Sequence, residues 1–154
     1  MKAKSIKGKS AEEIKSSLAE SMADGFKPTL GFVFVPTHFQ YNDIVDVLDE
    51  HNIAIFGANT PDKFTDQGME NELATILLLD LDPTYFRIVL KSLPIGDYKA
   101  VANVAREIGQ TGSEQLNRPA FIVSVSDFEV PGEALVEGIL SGAGEATPLI
   151  GGFS

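Results

Sequence analysis

The hydrophobic and polar positions of this chain form short apolar runs separated by amphipathic segments. Near-continuous apolar runs occur at residues 30–35 (LGFVFV), 53–56 (IAIF), 74–79 (ATILLL) and 120–125 (AFIVSV). Runs of this kind are typical of strands buried on both faces of a sheet that has helical cover. The pattern predicts an α/β fold with a sheet covered by helices.

The segments between these runs have the apolar spacing and end signals of helices. Ser10 and Glu13 have the spacing of a capping box, and Asp24-Gly25 closes the helix that they begin. Three more helices are predicted: 42–51 with Asn42 or Asp43 as cap, 97–109 with Asp97 as cap and Gly109 at its end, and one with Pro131 in its first turn that ends at 141–144. Residues 111–117 are predicted to be a polar linker.

The order of these elements predicts how the strands pair. Strand 30–35, helix 42–51 and strand 53–56 have short connections and predict a parallel βαβ unit. Residues 61–71 are polar and turn-rich, which indicates a loop or hairpin. Asp82-Pro83 predicts a turn that returns residues 85–90 (YFRIVL) as an antiparallel partner of the strand in 72–80. The sheet is therefore predicted to be mixed.

Residues 118–154 repeat the pattern of residues 27–60. Pro28 matches Pro119 and Val45 matches Val136 at an offset of 91, and Gly57 matches Gly151 at an offset of 94. We interpret this as a duplicated helix-strand-helix-strand unit, with unit one at about 10–93 and an incomplete, truncated unit two at about 97–154. Residues 1–9 are a basic tail or an edge strand. The last strand is then expected at a sheet edge, where it could form a homodimer.

Composition narrows the classes of function. The net charge of −10 argues against nucleic acid, since phosphate binding needs clustered Lys and Arg. With no cysteine there is no disulfide or zinc–thiolate site, and the chain has neither an apolar run long enough to span a membrane nor a signal peptide. No metal-ligand spacing and no nucleotide-binding glycine motif is present. We expect a cytoplasmic protein with no metal, no cofactor and no membrane partner.

Polar residues and glycines follow the predicted strands at the ends where α/β proteins bind ligands. The candidate ligand-binding residues are Thr37, His38, Asn59, Thr60, Ser126, Asp127, Gly151 and Gly152. Glycine at such a position lets the backbone approach a ligand or another strand closely, or simply forms a bend. A hydrolase that uses Ser126, Asp127 or His38 is an alternative, although no G-x-S-x-G elbow is present. An interaction scaffold without a pocket is a third possibility.

Several of these stretches resemble the N-terminal domain of the FIST family. The resemblance rests on LGFVFVP, IAIFGANT, ATILLLDL, FRIVL, PAFIVSVSD and above all PLIGGFS. The family has T-x-G after the first glycine strand, where this chain has Ala58, Asn59 and Thr60. The resemblance implies an intracellular sensory domain that binds small ligands, including amino acids. Because the sequence contains no catalytic constellation, we expect this domain to be non-catalytic. It also implies a signalling output partner, typically a kinase, a cyclic-dinucleotide enzyme or a chemotaxis receptor.

Overall fold

The computed structural model of the chain describes residues 1–37, 39, 41–59, 63–65, 68–70 and 72–153. The chain forms two compact units, Met1–Ile88 and Val89–Ser154. From here on these ranges, rather than the repeat units of the sequence, are called unit one and unit two. Each unit has its own hydrophobic core. Within the described helices, none is long and apolar enough to cross a membrane.

Unit one contains a mixed four-stranded sheet with helices. Its elements are β1 (Lys2–Gly8), α1 (Ala11–Met22), β2 (Leu30–Val35), α2 (Asn42–Asp49), β3 (Ala54–Asn59), the hairpin β4 (Lys63–Thr65) and β5 (Gly68–Glu70), β6 (Ala74–Asp80) and a 3-10 turn at Pro83–Tyr85. The strand order is β1-β6-β2-β3. As predicted, β2 and β3 are parallel and the sheet is mixed. Strand β6 runs antiparallel to both of its neighbours, β1 and β2.

The predicted strand at residues 85–90 is wrong. Residues 83–85 form the 3-10 turn, held by the Asp82 carboxylate, which accepts a hydrogen bond from the Thr84 N–H at 2.9 Å. Residues 86–90 have no regular secondary structure. The antiparallel partner of β6 is instead β1, which pairs along its whole length from Lys2 with Asp80 to Gly8 with Ala74. Since β2 pairs with the other side of β6, no edge of that strand is left for residues 85–90.

Both helices of unit one pack on one face of the sheet. Ile14 and Leu18 of α1 and Leu48 of α2 are fully buried against alternate strand residues that include Val33 and Ile76. The residues between these on the strands point to the opposite face, where Phe34 and Leu77 are 37% and 39% exposed. The helical cover that the apolar runs predicted is therefore one-sided in this unit.

Unit two is a βαβ motif preceded by a long helix. Its elements are α3 (Tyr98–Gln115), β7 (Phe121–Val125), α4 (Gly132–Ala143) and β8 (Leu149–Phe153). Strands β7 and β8 are parallel and form a two-stranded sheet. The core contains Val101 and Ala105 of α3 and Ala134, Leu135 and Ile139 of α4.

Helix α3 continues past Gly109, so the predicted helix end there and the linker at 111–117 are wrong. A Cβ at Gly109 would collide with the Ile139 carbonyl oxygen, and one at Gly142 would collide with the Arg106 carbonyl oxygen. A Cβ at Gly138 would lie 2.5 Å from the Ala105 Cβ. These glycines allow two helix backbones to approach closely, which is why Gly109 lies within a helix.

Candidate functional site

The strand directions bring several chain segments to one edge of the sheet in unit one. Gly8 pairs with Ala74, and Val35 pairs with Asn59. The ends of β1, β2 and β3 and the start of β6 therefore lie along the same edge, which we call the carboxyl edge of unit one. This is the edge at which open α/β sheets bind ligands.

An open groove of about 460 Å³ lies at this edge. It is formed by the starts of α1 and α2, by the loop after β2 and by the residues just before β6. Its lining residues are Lys9, Ser10, Ala11, Glu12, Phe39, Asp43 and Glu72. We call it the edge groove. Sequence reasoning missed it because its residues come from four separate segments.

The start of α1 is fixed by its own side chains. The Ser10 hydroxyl accepts a hydrogen bond from the Glu13 N–H at 3.3 Å, and the Glu13 carboxylate accepts one from the Lys9 N–H at 2.8 Å. A Cβ at Gly8 would lie 2.9 Å from the Glu13 Cβ, so the tight turn into the helix needs glycine. This capping box, predicted from the sequence, holds Lys9 and Glu12 at the groove.

The start of α2 differs from the start of α1 in its N-terminal cap. Neither predicted cap is correct, because Tyr41 occupies the N-cap position in a helical conformation and makes no side-chain cap hydrogen bond. Among the described residues, no side chain caps the first turn of α2, and the partial positive charge of this turn is complemented by Asp43.

The edge groove carries more negative than positive charge. Glu12, Asp43 and Glu72 contribute carboxylates, and Lys9 contributes an ammonium group. Hydrogen bonds from the backbone at the helix start and from the Ser10 hydroxyl lower the pKa of Glu12, because they favour its ionised form. The groove thus presents both signs of charge beside the apolar side chains of Ala11 and Phe39.

Two of the predicted site residues in unit one lie at the carboxyl edge without lining the groove. Thr37 is exposed in the turn after β2, and Asn59 is exposed at the end of β3. His38 and Thr60 lie outside the described residues. The structure therefore brings Thr37 and Asn59 to one edge through the pairing of β2 with β3.

The remaining predicted site residues belong to unit two. Ser126 is exposed directly after β7, and the Asp127 carboxylate accepts a hydrogen bond from the Glu129 N–H at 2.8 Å, which shapes the following turn. Gly151 and Gly152 lie within β8. Because Val125 pairs with Phe153, the ends of β7 and β8 lie side by side at the carboxyl edge of unit two.

Gly57 and Gly151 have the same structural role in the two units. Gly57 pairs with Val33 and Gly151 pairs with Val123, and in each case a Cβ would collide with the carbonyl oxygen of the paired valine. Close approach of two strands explains glycine at both positions without a ligand. At Gly152 a Cβ would meet nothing within 4 Å, so that position is open to solvent.

An aromatic pair at the carboxyl edge of unit two was not predicted from the sequence. The rings of Phe128, in the loop after β7, and Phe153, at the end of β8, stack with centroids 5.3 Å apart and planes 20° apart. Phe128 is 79% exposed and Phe153 is 42% exposed. The parallel pairing of β7 with β8 creates this contact, so the spacing of the two residues in the chain gave no signal for it.

Comparison with known protein families identifies the family to which this chain belongs. A family model described as the FIST N domain matches residues 29–154. The chain therefore belongs to the FIST family, a family of sensory domains in signal transduction. No curated protein and no solved structure matches the chain.

Proposed function

We propose that this chain is an intracellular small-ligand sensing domain that binds a ligand of about amino-acid size in the edge groove. The observation that carries the proposal is the groove itself, which lies at the carboxyl edge of a parallel strand pair. Its volume of about 460 Å³ is within the range of roughly 300–1,000 Å³ that is common for ligand pockets. Membership of a sensory family supports the same function.

The charges of the groove suit a zwitterion. An ammonium group would be attracted by the carboxylates of Glu12, Asp43 and Glu72. A carboxylate would be attracted by Lys9 and by the first turn of α2, which no described side chain caps. Phe39 would contact the apolar part of such a ligand. Thr37 and Asn59 lie at the same edge and would extend the site beyond the groove.

A non-catalytic role is part of the proposal. The Asp127 carboxylate is used by the Glu129 N–H, which supports a turn-forming role rather than activation of Ser126. The alternative hydrolase would lose its turnover of ester or amide substrates in Ser126→Ala. Turnover by the wild type that disappears in this variant would contradict the non-catalytic role.

The sensory role requires partners. We propose that ligand binding is passed to a signalling output domain or protein, and that β8 can pair with β8 of a second copy. Among the described residues β8 pairs with β7 on one side, and its sequence LIGGF carries no charge. Sedimentation velocity over a range of concentrations is expected to show a dimer. A monomer at every concentration would contradict the pairing.

Calorimetry tests the proposed site. Wild-type protein titrated with a panel of amino acids should bind at least one of them saturably. Asp43→Asn should weaken that binding, because the variant removes a groove carboxylate at the start of α2. Asp49→Asn, at the other end of the same helix and outside the groove, should leave the binding unchanged. No binding by any of the panel, or equal binding by Asp43→Asn, would contradict the proposal.

A further inference from the structure

The aromatic pair of unit two is held in place by the turn after β7. The Asp127 carbonyl oxygen accepts a hydrogen bond from the Val130 N–H at 3.3 Å, and the Asp127 carboxylate accepts one from the Glu129 N–H at 2.8 Å. This turn presents Phe128 at its tip, 79% exposed. A Cβ at Gly132 would lie 3.4 Å from the Phe153 ring, so the start of α4 supports that ring from the side. The Phe153 ring of the stack is therefore supported by the backbone at the start of α4.

The charged side chains of the segment that carries this aromatic pair are all acidic. The segment 119–154 contains no lysine, arginine or histidine, and its acidic residues are Asp127, Glu129, Glu133, Glu137 and Glu145. Half of the net charge of the whole chain, −10, thus comes from this segment. The hydrogen bond from the Tyr98 hydroxyl to the Glu137 carboxylate, with the negative charge of Glu133, raises the pKa of Tyr98 to about 12.

Aromatic rings in a negative field attract organic cations. The face of an aromatic ring attracts a cation through its quadrupole, and nearby carboxylates add to that attraction. The chain shows this chemistry in unit one, where the Lys4 ammonium lies 5.1 Å from the centroid of the Phe26 ring. In segment 119–154 no side chain can supply the cation, although the rings are more exposed than Phe26, which is 1% exposed.

We infer that Phe128 and Phe153 form a binding platform for a small organic cation, an alkylated ammonium group, at the carboxyl edge of unit two. The open face of Phe128 contacts the cation, and Glu129 and Glu133 supply the negative charge around it. This site goes beyond the edge groove proposed above and does not depend on it, since none of its residues lines that groove.

A pair of matched ligands separates cation binding from simple apolar contact. Choline and its uncharged carbon isostere, in which a tert-butyl group replaces the trimethylammonium group, would be titrated into the full chain and followed by backbone amide shifts. Choline is expected to shift the amides of residues 126–130 and 152–153 saturably. The isostere should bind about fivefold more weakly or not at all, as the loss of one cation–π contact predicts. Equal binding of the two ligands, or no binding of choline, would overturn the inference.

Variants of exposed residues test whether Phe128 and the nearby carboxylates bind the cation, and they should leave the fold intact. Phe128→Leu keeps an apolar side chain but should weaken choline binding about fivefold, whereas Phe128→Trp should bind at least as well as wild type. Tyr85→Leu, which changes a 72% exposed aromatic residue in unit one, should have no effect. Glu129→Gln should weaken binding at low salt more than Glu145→Gln does. Asp43→Asn should bind choline normally, because it affects the edge groove and not this site. Unchanged choline binding in Phe128→Leu would overturn the inference.

Discussion

The two strand-helix-strand motifs of this chain, β2-α2-β3 and β7-α4-β8, share parallel pairing and a glycine beside a valine carbonyl, but different neighbours stabilise them. In unit one the strand pair belongs to a four-stranded sheet, and the core is made of large aliphatic side chains. In unit two the pair forms a sheet of its own, and α3 and α4 meet at glycines. One local motif can thus be stabilised by a wider sheet or by closer helix packing.

A cavity in the core of unit one should have the largest effect on stability. Leu18 is fully buried, so Leu18→Ala should lower the free energy of unfolding by about 3–5 kcal/mol. The measurement is hydrogen exchange of the amides of β2 and β6 during urea titration. Val45→Ala, at a position that is 36% exposed on α2, should change the free energy of unfolding by less than about 0.5 kcal/mol. A similar loss in both variants would show that unit one does not depend on an aliphatic core.

Added volume at the helix contact should disrupt unit two. Gly138→Ala should destabilise it by about 1–3 kcal/mol, because the new Cβ would lie 2.5 Å from the Ala105 Cβ. Without crowding, the same change would stabilise the helix by about 1 kcal/mol, because alanine favours a helix over glycine. The sign of the change in stability therefore tests for the close contact. Amide exchange in α3 and α4 would report the change, with Gly152→Ala, at an uncrowded position, as the control. A stabilised Gly138→Ala would contradict the close helix contact.

The smallest effect is expected from pH at an ion pair of unit one. The hydrogen bond from Lys4, with an N–O distance of 2.9 Å, and a second from the Phe26 N–H lower the pKa of Asp24 below its ordinary value of 3.8. A carboxyl group whose pKa is lowered by folding stabilises the protein above its unfolded pKa, and that contribution is lost as the pH falls through the folded pKa.

Asp24→Asn should therefore be less stable than wild type at neutral pH, and the difference should shrink in acid below about pH 4. Urea midpoints of the two proteins across this range measure the effect. Glu145→Gln provides the control, since it changes an exposed carboxylate of unit two without a described ion pair. A difference between Asp24→Asn and wild type that is independent of pH would show that the ion pair does not contribute.

Much of the fold could be predicted from local sequence. The apolar run at 30–35 predicted the bounds of β2, and Ser10 with Glu13 predicted the start of α1, because these signals depend on neighbouring residues. The family resemblance was also confirmed. Residues 85–90 have the pattern of a strand, but β1, whose lysine-rich sequence KAKSIKG suits a sheet edge, occupies the place beside β6.

The parts that failed depend on contacts between distant residues. Gly109 indicates a helix end from sequence alone, and only its contact with Ile139 explains why α3 continues. The edge groove combines residues from Lys9 to Glu72, and the Phe128–Phe153 stack depends on the register of β7 with β8. The candidate residues Thr37, Asn59, Ser126 and Asp127 lie at carboxyl edges as expected, while their part in binding a ligand stays a prediction.

Hydrogen exchange with and without bound ligand tests the central claim most directly. An amino acid found by calorimetry should slow exchange at the first turns of α1 and α2, where Glu12 and Asp43 line the edge groove. The same amides in Asp43→Asn should show little change at equal ligand concentration. Protection confined to other parts of the chain, or protection at these turns that Asp43→Asn retains in full, would contradict a sensing site in the edge groove.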